Sequence, residues 1–276
     1  MKKSIIFILF ALIFAACKRE PVSPTIPDDP TPLEDGAIIE NAVVDYDGNT
    51  YNAIVFGEQV WMQSNLRTTH FDDGTAIPLE TEVNDSVACY YDYDNGRDLR
   101  DYGYWYNWKA VMNNSSATNA NPSGVQGICP KGWHVPSSAE WVQLRDYLQK
   151  QGNYYCGNDS NDIAKALASE TGWTLYTHSE PGTGYETPHV PCCVGNPNYT
   201  NNATGFSAFP AGFYGAFYQG CYPAWMGSMA NFWSTTEYED ISVTLVLGCC
   251  LFYNNSAVSG HYNSKEFGYS VRCLRD

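Results

Sequence analysis

The sequence predicts an α+β domain, and three observations lead to this prediction. Short runs rich in Val, Ile, Tyr and Phe, which are typical of strands, recur along the chain. Few stretches carry the apolar spacing of a helix. Strands and helices do not alternate in the regular order of βαβ units, so a parallel sheet is not expected.

The first structured segment is predicted to be a β-meander. Its strands are expected at 42–44, Thr50–Phe56 and Gln59–Met62. Asp47-Gly48-Asn49 separates the first two strands, and Asp-Gly between apolar runs is a strong hairpin signal because the favoured turn needs positive φ. Gly57-Glu58 provides the second turn.

One helix is predicted from a capping signal. Ser137 and Glu140 have the spacing of a capping box, in which the serine and the glutamate each accept a backbone N–H of the first turn. Trp141, Leu144 and Leu148 then form one apolar stripe of a helix that ends near Gly152.

Three further elements have weaker patterns. A second, short helix is predicted at about 161–169 from its apolar Ile and Leu residues. The segments 243–247 and 268–274 have strand composition, and the latter alternates its side chains between two faces. Many short antiparallel strands and loops are therefore expected around two short helices.

The N-terminus has the features of an export signal. Lys2 and Lys3 precede a twelve-residue apolar run, 5–16, which is too short to span a bilayer as a helix and is typical of a signal peptide. Cys17 follows two alanines, an arrangement that resembles the lipobox of bacterial lipoproteins. The resemblance implies a signal peptide at 1–16 and lipidation of Cys17. Ordinary signal cleavage nearby is the alternative.

A proline-rich tether is predicted between the lipidated cysteine and the folded domain. Five prolines fall between residues 21 and 32, and proline favours an extended, semi-rigid chain. We therefore assign 17–36 to the lipidated cysteine and its tether, and 37–276 to one globular domain.

Several blocks of the domain resemble the Fibrobacter succinogenes major paralogous domain family. They include Tyr-Gly-Tyr-Trp-Tyr-Asn-Trp and Gly-Trp-His-Val-Pro-Ser, and they occur at 45–51, 59–66, 88–92, 102–108, 128–137, 205–212, 232–237 and 270–276. The Gly-Trp-His-Val-Pro-Ser block also resembles the entry to a helix in the formylglycine-generating-enzyme group, whose fold is a variant of the C-type lectin-like fold. The resemblance implies a C-type-lectin-like architecture in an exported or lipid-anchored bacterial protein.

Two stretches are expected to be surface insertions relative to that family. They are an acidic segment at about 79–101 and a Cys-, Pro- and Asn-rich segment at about 176–203. Loops carry much of the function that distinguishes relatives, so whatever is individual to this chain is expected there.

The cysteine content indicates an oxidising compartment. In the resembled fold the first and last segments of the domain lie together, which implies a disulfide between Cys129 and Cys273. The adjacent pairs 192–193 and 249–250 are expected to cross-link with each other, because a bridge within an adjacent pair strains the peptide. Besides Cys17, nine cysteines remain, so at least one thiol is free or intermolecular.

Two groups of residues are candidate binding sites. The acidic loop offers oxygen ligands for calcium from Asp92, Asp94, Asn95 and Asp98, although its register does not fit an EF-hand and a solvated loop is the simpler interpretation. A glycine-rich stretch, 212–227, carries aromatic rings that a loop can present to a sugar or a protein; folding of this loop onto the body is the alternative. Those rings belong to Tyr214, Phe217, Tyr218, Tyr222 and Trp225.

Charge and motif content narrow the functional classes. With 15 Lys and Arg against 30 Asp and Glu the formal net charge is −15, which argues against nucleic acid as a partner. No catalytic motif is convincing, and no cofactor is expected, with calcium at the acidic loop as the alternative. We expect a non-catalytic outer-membrane lipoprotein, at the cell surface or on the periplasmic face, whose domain binds a glycan or a surface protein, for example in adhesion. The alternative is an enzyme of formylglycine-generating-like architecture with an unrecognised cysteine or metal site.

Overall fold

The chain folds around two main antiparallel sheets and four short helices in the part that the structure describes. This computed structural model describes residues 33–93, 95–176, 190, 192–239 and 244–276. The predicted α+β class is confirmed, since the strands of both sheets are antiparallel and helices are few. Within those ranges no helix is both long and apolar enough to cross a bilayer.

The predicted meander forms half of a five-stranded sheet. Strands β1 (Ile38–Val44), β2 (Thr50–Phe56) and β3 (Gln59–Met62) pair in sequence order, with Val43 opposite Tyr51 and Ile54 opposite Trp61. Gly48 takes the turn with φ +83°, as the Asp-Gly signal predicts.

The sheet is completed by two short strands from distant parts of the chain. These are β6 (Trp133–His134) and β13 (Leu274–Arg275), and the strand order is β1-β2-β3-β13-β6. The strand predicted at 268–274 is therefore largely wrong, because only its last residue lies in β13. Residues 268–274 are buried throughout and make single backbone pairings with several segments, for example Tyr269 with Tyr106 and Ser270 with Phe232. Because these pairings go to different segments, 268–274 forms no continuous ladder with one neighbouring strand.

The capped helix is confirmed as α3 (Ser138–Lys150). Ser137 accepts a hydrogen bond from the N–H of Glu140, and the carboxylate of Glu140 accepts one from the N–H of Ser137. Trp141, Leu144 and Leu148 are buried against the sheets, as the stripe predicts.

The other helices are single turns. They are α1 (Leu99–Tyr102), α2 (Trp108–Met112) and α4 (Ala164–Leu167). The helix predicted at 161–169 is reduced to α4, because Ala168 leaves helical geometry and pairs with Ala208 as an isolated bridge.

The second sheet has four strands. Its central strand, β11 (Thr244–Phe252), extends the predicted strand and pairs with β9 (Met229–Phe232), β10 (Glu237–Glu239) and β12 (Ser259–Asn263). Two separate two-stranded ribbons join β4 (Tyr90–Tyr91) to β5 (Trp105–Tyr106) and β7 (Phe213–Phe217) to β8 (Gly220–Ala224).

Two disulfides connect these parts. Cys129 and Cys273 are joined, with an S–S distance of 1.98 Å and a sequence separation of 144, so the pairing that the family resemblance implies is confirmed. The second bridge joins Cys156 to Cys192. The expected cross-links between 192–193 and 249–250 are wrong, because Cys249 and Cys250 lie inside β11 as buried free thiols.

Candidate functional site

The aromatic side chains of the glycine-rich stretch lie on the β7–β8 hairpin, but they do not form one surface. Tyr214 is buried and its ring stacks on Tyr91 at 4.7 Å, so this residue belongs to the core. Phe217 and Tyr222 stack on each other at 4.6 Å. Tyr218, Tyr222 and Trp225 are exposed. A ligand could reach those three rings, whereas Tyr214 is not available to it.

The acidic loop uses its described oxygens internally. Asp92 pairs with Arg97 at 3.0 Å, and Asp98 caps α1 and pairs with Arg100. The side-chain amide of Asn95 lies against the sulfur of Met226. Asp94 lies outside the described residues. Among the described part of the chain no group of three or more His, Cys, Asp or Glu side chains is placed to hold a metal ion, so the calcium proposal gains no support.

A depression lies elsewhere, beside the meander. We call this depression the first hollow. It has a volume of about 560 Å³ and lies between β2 and the segments around residues 100, 170 and 205. This volume is typical of small-molecule sites, which run from roughly 300 to 1,000 Å³. Its wall is mainly polar, with planar amide and guanidinium groups, and it includes Asn52, Gln63, Arg67, Asp101, Asn202 and Phe209.

A second hollow of about 440 Å³ adjoins the first. Glu170 and Thr171 line both, so the two meet at this segment. The second hollow is less polar, because Trp173, Leu175 and Tyr199 contribute to its wall.

A buried arginine fixes the floor of the first hollow. The Arg272 side chain has no solvent access, and its guanidinium donates to Asn65 Oδ1 (2.7 Å) and to three backbone carbonyls. Those carbonyls belong to Met62 (3.1 Å), Phe206 (2.7 Å) and Ser207 (2.7 Å). Burial without a carboxylate partner lowers the pKa of Arg272 to about 9, and the carbonyl dipoles and the Phe206 ring, 4.6 Å away, take the place of a counter-ion.

The loop that Arg272 holds has an unusual backbone. Ser207 lies in the hollow wall at φ +56°, a left-handed conformation that only a few per cent of non-glycine residues adopt. The Asn202 side chain stabilises it from both sides, since its Oδ1 accepts from the Ser207 N–H and its Nδ2 donates to Ser207 Oγ, each at 2.9 Å. The loop is therefore built to hold one shape.

A buried lysine fixes the rim of the second hollow in the same way. Lys165 lies on α4 and is almost fully buried, and its Nζ donates to the carbonyls of Cys193 (3.2 Å), Val194 (3.1 Å) and Asn196 (2.8 Å). Burial lowers the pKa of Lys165. The Cys156–Cys192 disulfide holds the chain immediately before this rim.

The side chains whose chemistry is best suited to catalysis, a histidine and several cysteines, are enclosed within the protein. His134 is buried, with Nδ1 2.7 Å from Asp276 and Nε2 2.9 Å from Glu140, so both ring nitrogens are engaged. Burial raises the pKa of Cys89 to about 11 and that of Cys249 to about 12. Such thiols are poor nucleophiles at neutral pH. Cys192 lies in a disulfide and has no free thiol.

The sequence did not predict either hollow, although both segments that were expected to be insertions contribute residues to the walls. The second hollow takes Val194, Tyr199 and Asn201 from the segment expected to be an insertion, and the first takes Arg100 and neighbouring Asp101 from the end of the acidic one. The sequence also contains a signal for the two buried cations, since each has apolar neighbours. Arg272 stands between Val271 and Cys273, and Lys165 stands between two alanines in an apolar run.

The comparisons with known proteins agree with the sequence blocks. The model of the Fibrobacter succinogenes major domain matches residues 54–275. The chain belongs to this family. No curated protein and no solved structure matches the chain. The match to this family covers β3, α3, both disulfides, most of β13, and the residues that line the two hollows, apart from Thr50 and Asn52.

Proposed function

We propose that this family member is a non-catalytic recognition module that an exported lipoprotein displays outside the cytoplasm, and that it binds a glycan or a protein ligand in the two hollows. One observation carries the proposal: the walls of two adjoining hollows are fixed in advance by buried cations. Preorganised walls reduce the entropy that is lost when a ligand binds.

The buried cations that hold these walls carry a free-energy cost, which a binding role would explain. Arg272 and Lys165 are buried without a carboxylate, and each holds the carbonyls of a loop that lines a hollow. Burying a charge with no opposite charge beside it is expensive. Two such cations beside the same pair of hollows support a binding role.

The non-catalytic part of the proposal rests on the enclosed state of the reactive groups. Both nitrogens of His134 are bonded to carboxylates, and four of the five free thiols among the described residues are buried. General acid–base or nucleophilic catalysis needs such a group within hydrogen-bond reach of a substrate. The described groups instead serve packing.

The location is proposed from the N-terminal sequence. The apolar segment 5–16, Cys17 and the proline-rich tether fit a lipoprotein whose domain stands away from the outer membrane. We also propose a C-type-lectin-like fold, which is supported by the pairing of the C-terminal β13 with β3 of the N-terminal meander. Residues 1–32, which include Cys17, lie outside the described residues.

The binding part is tested by screening the full chain, produced in an oxidising host, against glycan and surface-protein arrays, with and without a chelator. We expect a reproducible ligand whose binding survives chelation. Absence of binding on both arrays, together with turnover of any substrate by the purified protein, would contradict the proposal.

The anchoring part has its own test. Labelling of cells with a fatty-acid analogue should mark the wild-type protein and leave a Cys17→Ala variant unmarked. Protease added to intact cells then tells the cell surface from the periplasmic face. Wild-type protein without label, or with its first mature residue elsewhere than Cys17, would refute lipidation.

A further inference from the structure

We infer that the ligand of the two hollows is an uncharged oligosaccharide, one that lies against Tyr199 and Trp173 in the second hollow and meets the polar wall of the first. This inference rests on the proposed function and names its ligand class. Four features of the hollows lead to it.

The first feature is the balance of charge. The chain as a whole has a formal net charge of −15, but the side chains that line the two hollows include two arginines and two carboxylates. These are Arg67, Arg100, Asp101 and Glu170. Arg100 is already paired with Asp98 outside the hollow. A polyanion or polycation would find no excess of opposite charge here.

The second feature is the chemistry of the wall. Asn52 and Gln63 line the first hollow; Asn52 Oδ1 accepts from the Asn41 N–H and Gln63 Nε2 donates to the Gly205 carbonyl, which leaves Asn52 Nδ2 as a donor and Gln63 Oε1 as an acceptor for a ligand. A hydroxyl group also donates and accepts, so a ligand rich in hydroxyls can pair with such a wall in several ways.

The third feature is a pair of polar atoms without partners. Trp173 Nε1, a donor, and Asn201 Oδ1, an acceptor, are shielded from solvent and have no hydrogen-bond partner among the described residues. Both residues line the second hollow. Buried polar atoms are nearly always paired, and hydroxyls of a bound sugar have the chemistry to pair with both.

The fourth feature argues against a peptide. Peptides are commonly bound through their backbone, by hydrogen bonds to free backbone groups of the receptor. Here the carbonyls of Phe206, Ser207, Val194 and Asn196 are already held by Arg272 and Lys165. The walls therefore offer side chains, including the half-exposed ring of Tyr199, for recognition. A flat apolar ring beside amides suits the apolar face and hydroxyl rim of a sugar.

The test is calorimetric titration of the full chain with neutral cello-, xylo-, manno- and malto-hexaose, with oligogalacturonate and a mixed-sequence decapeptide pool as the other arms. We expect one or more of the neutral hexaoses to bind. Raising the salt from about 0.05 M to about 0.5 M should change Kd by less than about twofold, because screening acts only on charges.

Two variants of matched exposure localise the binding. Tyr199 is 49% exposed and lines the second hollow, whereas Tyr262 is 51% exposed and lies on β12 outside both hollows. Tyr199→Ala should weaken binding by about fivefold or more, the loss expected for one aromatic contact. Tyr262→Ala should change Kd by less than about twofold.

The outcomes separate the inference from the proposed function. Binding of oligogalacturonate or of the peptide pool, in place of the neutral hexaoses, would overturn the inference. The proposed function as a recognition module would then still stand. Neutral-sugar binding that is lost in Tyr218→Ala on the β7–β8 hairpin, and kept in Tyr199→Ala, would also overturn it. Absence of binding in every arm would overturn the inference, while the broader arrays described above decide the proposed function.

Discussion

Nη1 of Arg272 lies 2.7 Å from the carbonyl oxygen of Phe206, in a place that solvent does not reach. The arginine comes from the last residues of the domain and the carbonyl from the loop that forms the floor of the first hollow. A single side chain thus connects the C-terminal segment, the meander through Met62, and the floor of the first hollow. The stability of the fold and the shape of the first hollow therefore depend on the same contact.

Arg272→Met should destabilise the domain strongly. The variant leaves the Asn65 side-chain oxygen and the carbonyls of Phe206 and Ser207 buried without a donor, and each such group costs about 1–3 kcal/mol. We expect the free energy of unfolding in urea to fall by about 3–5 kcal/mol. Arg272→Lys should lose less, because it retains a donor.

The matched control for that prediction is Arg100→Met. Arg100 is 79% exposed and pairs with Asp98 at the surface, so its loss should change the free energy of unfolding by no more than about 0.5 kcal/mol. Equal stability of Arg272→Met and the wild type would show that the buried cation is not needed to hold the loop.

The stability of the protein should depend on pH through His134. Burial lowers the pKa of His134, but hydrogen bonds to Glu140 and Asp276 outweigh this effect and raise the pKa above 6.5. The charged imidazole therefore stabilises the folded state fully below about pH 6.5. This contribution is lost as the pH rises through the raised folded-state value.

Urea unfolding between pH 5 and pH 9 measures that effect. His134→Gln should remove the part of the pH dependence that lies above about pH 6.5. His261→Gln is the control, since His261 contacts Asn263 and no carboxylate. Parallel stability curves for the wild type and His134→Gln over this range would refute the assignment.

Cys221 should be the thiol that reacts in the folded protein, among the cysteines that the structure describes. It is partly exposed on β8, whereas Cys89, Cys193, Cys249 and Cys250 are buried. Burial and the neighbouring Glu82 carboxylate raise the pKa of Cys221, so its labelling should accelerate above neutral pH. After maleimide treatment of the native protein, mass spectrometry should find one label on the wild-type chain. It should find no label on the Cys221→Ser variant. Native labelling of Cys249 or Cys250 would contradict the packing of β11.

Lys165→Met should loosen the rim of the second hollow. The variant keeps an apolar stem but removes the Nζ donor from the carbonyls of Cys193, Val194 and Asn196. The amides of Gly195 and Tyr176, which bond to Tyr253 and Gly195, should then exchange with deuterium at least about tenfold faster. Lys150→Met, at an exposed position of α3, provides the control. Unchanged exchange in Lys165→Met would mean that the disulfide alone holds the rim.

Local signals in the sequence predicted the elements that depend on local physics. The Asp47-Gly48 turn and the Ser137–Glu140 capping box appear as predicted, because a turn type and a helix cap are determined by a few neighbouring residues. The strand at 268–274 was predicted wrongly because its partners come from 62–66, 106, 214 and 231–232, far away in sequence.

The candidate site was harder to predict for the same reason. The first hollow combines Gln63 of the meander, Asp101 of α1 and Ser207 of a loop, which no spacing in the sequence relates. The aromatic hairpin was predicted from composition, but composition does not distinguish the buried Tyr214 from the exposed Tyr218. The family resemblance supplied the Cys129–Cys273 pairing, which residue spacing alone leaves open.

Hydrogen–deuterium exchange of the full chain, with and without the ligand that the arrays identify, tests the central claim most directly. Binding in the two hollows predicts slower exchange at 169–175 and 194–202, with 213–225 unchanged. Slower exchange confined to the β7–β8 hairpin, or to neither region, would contradict it.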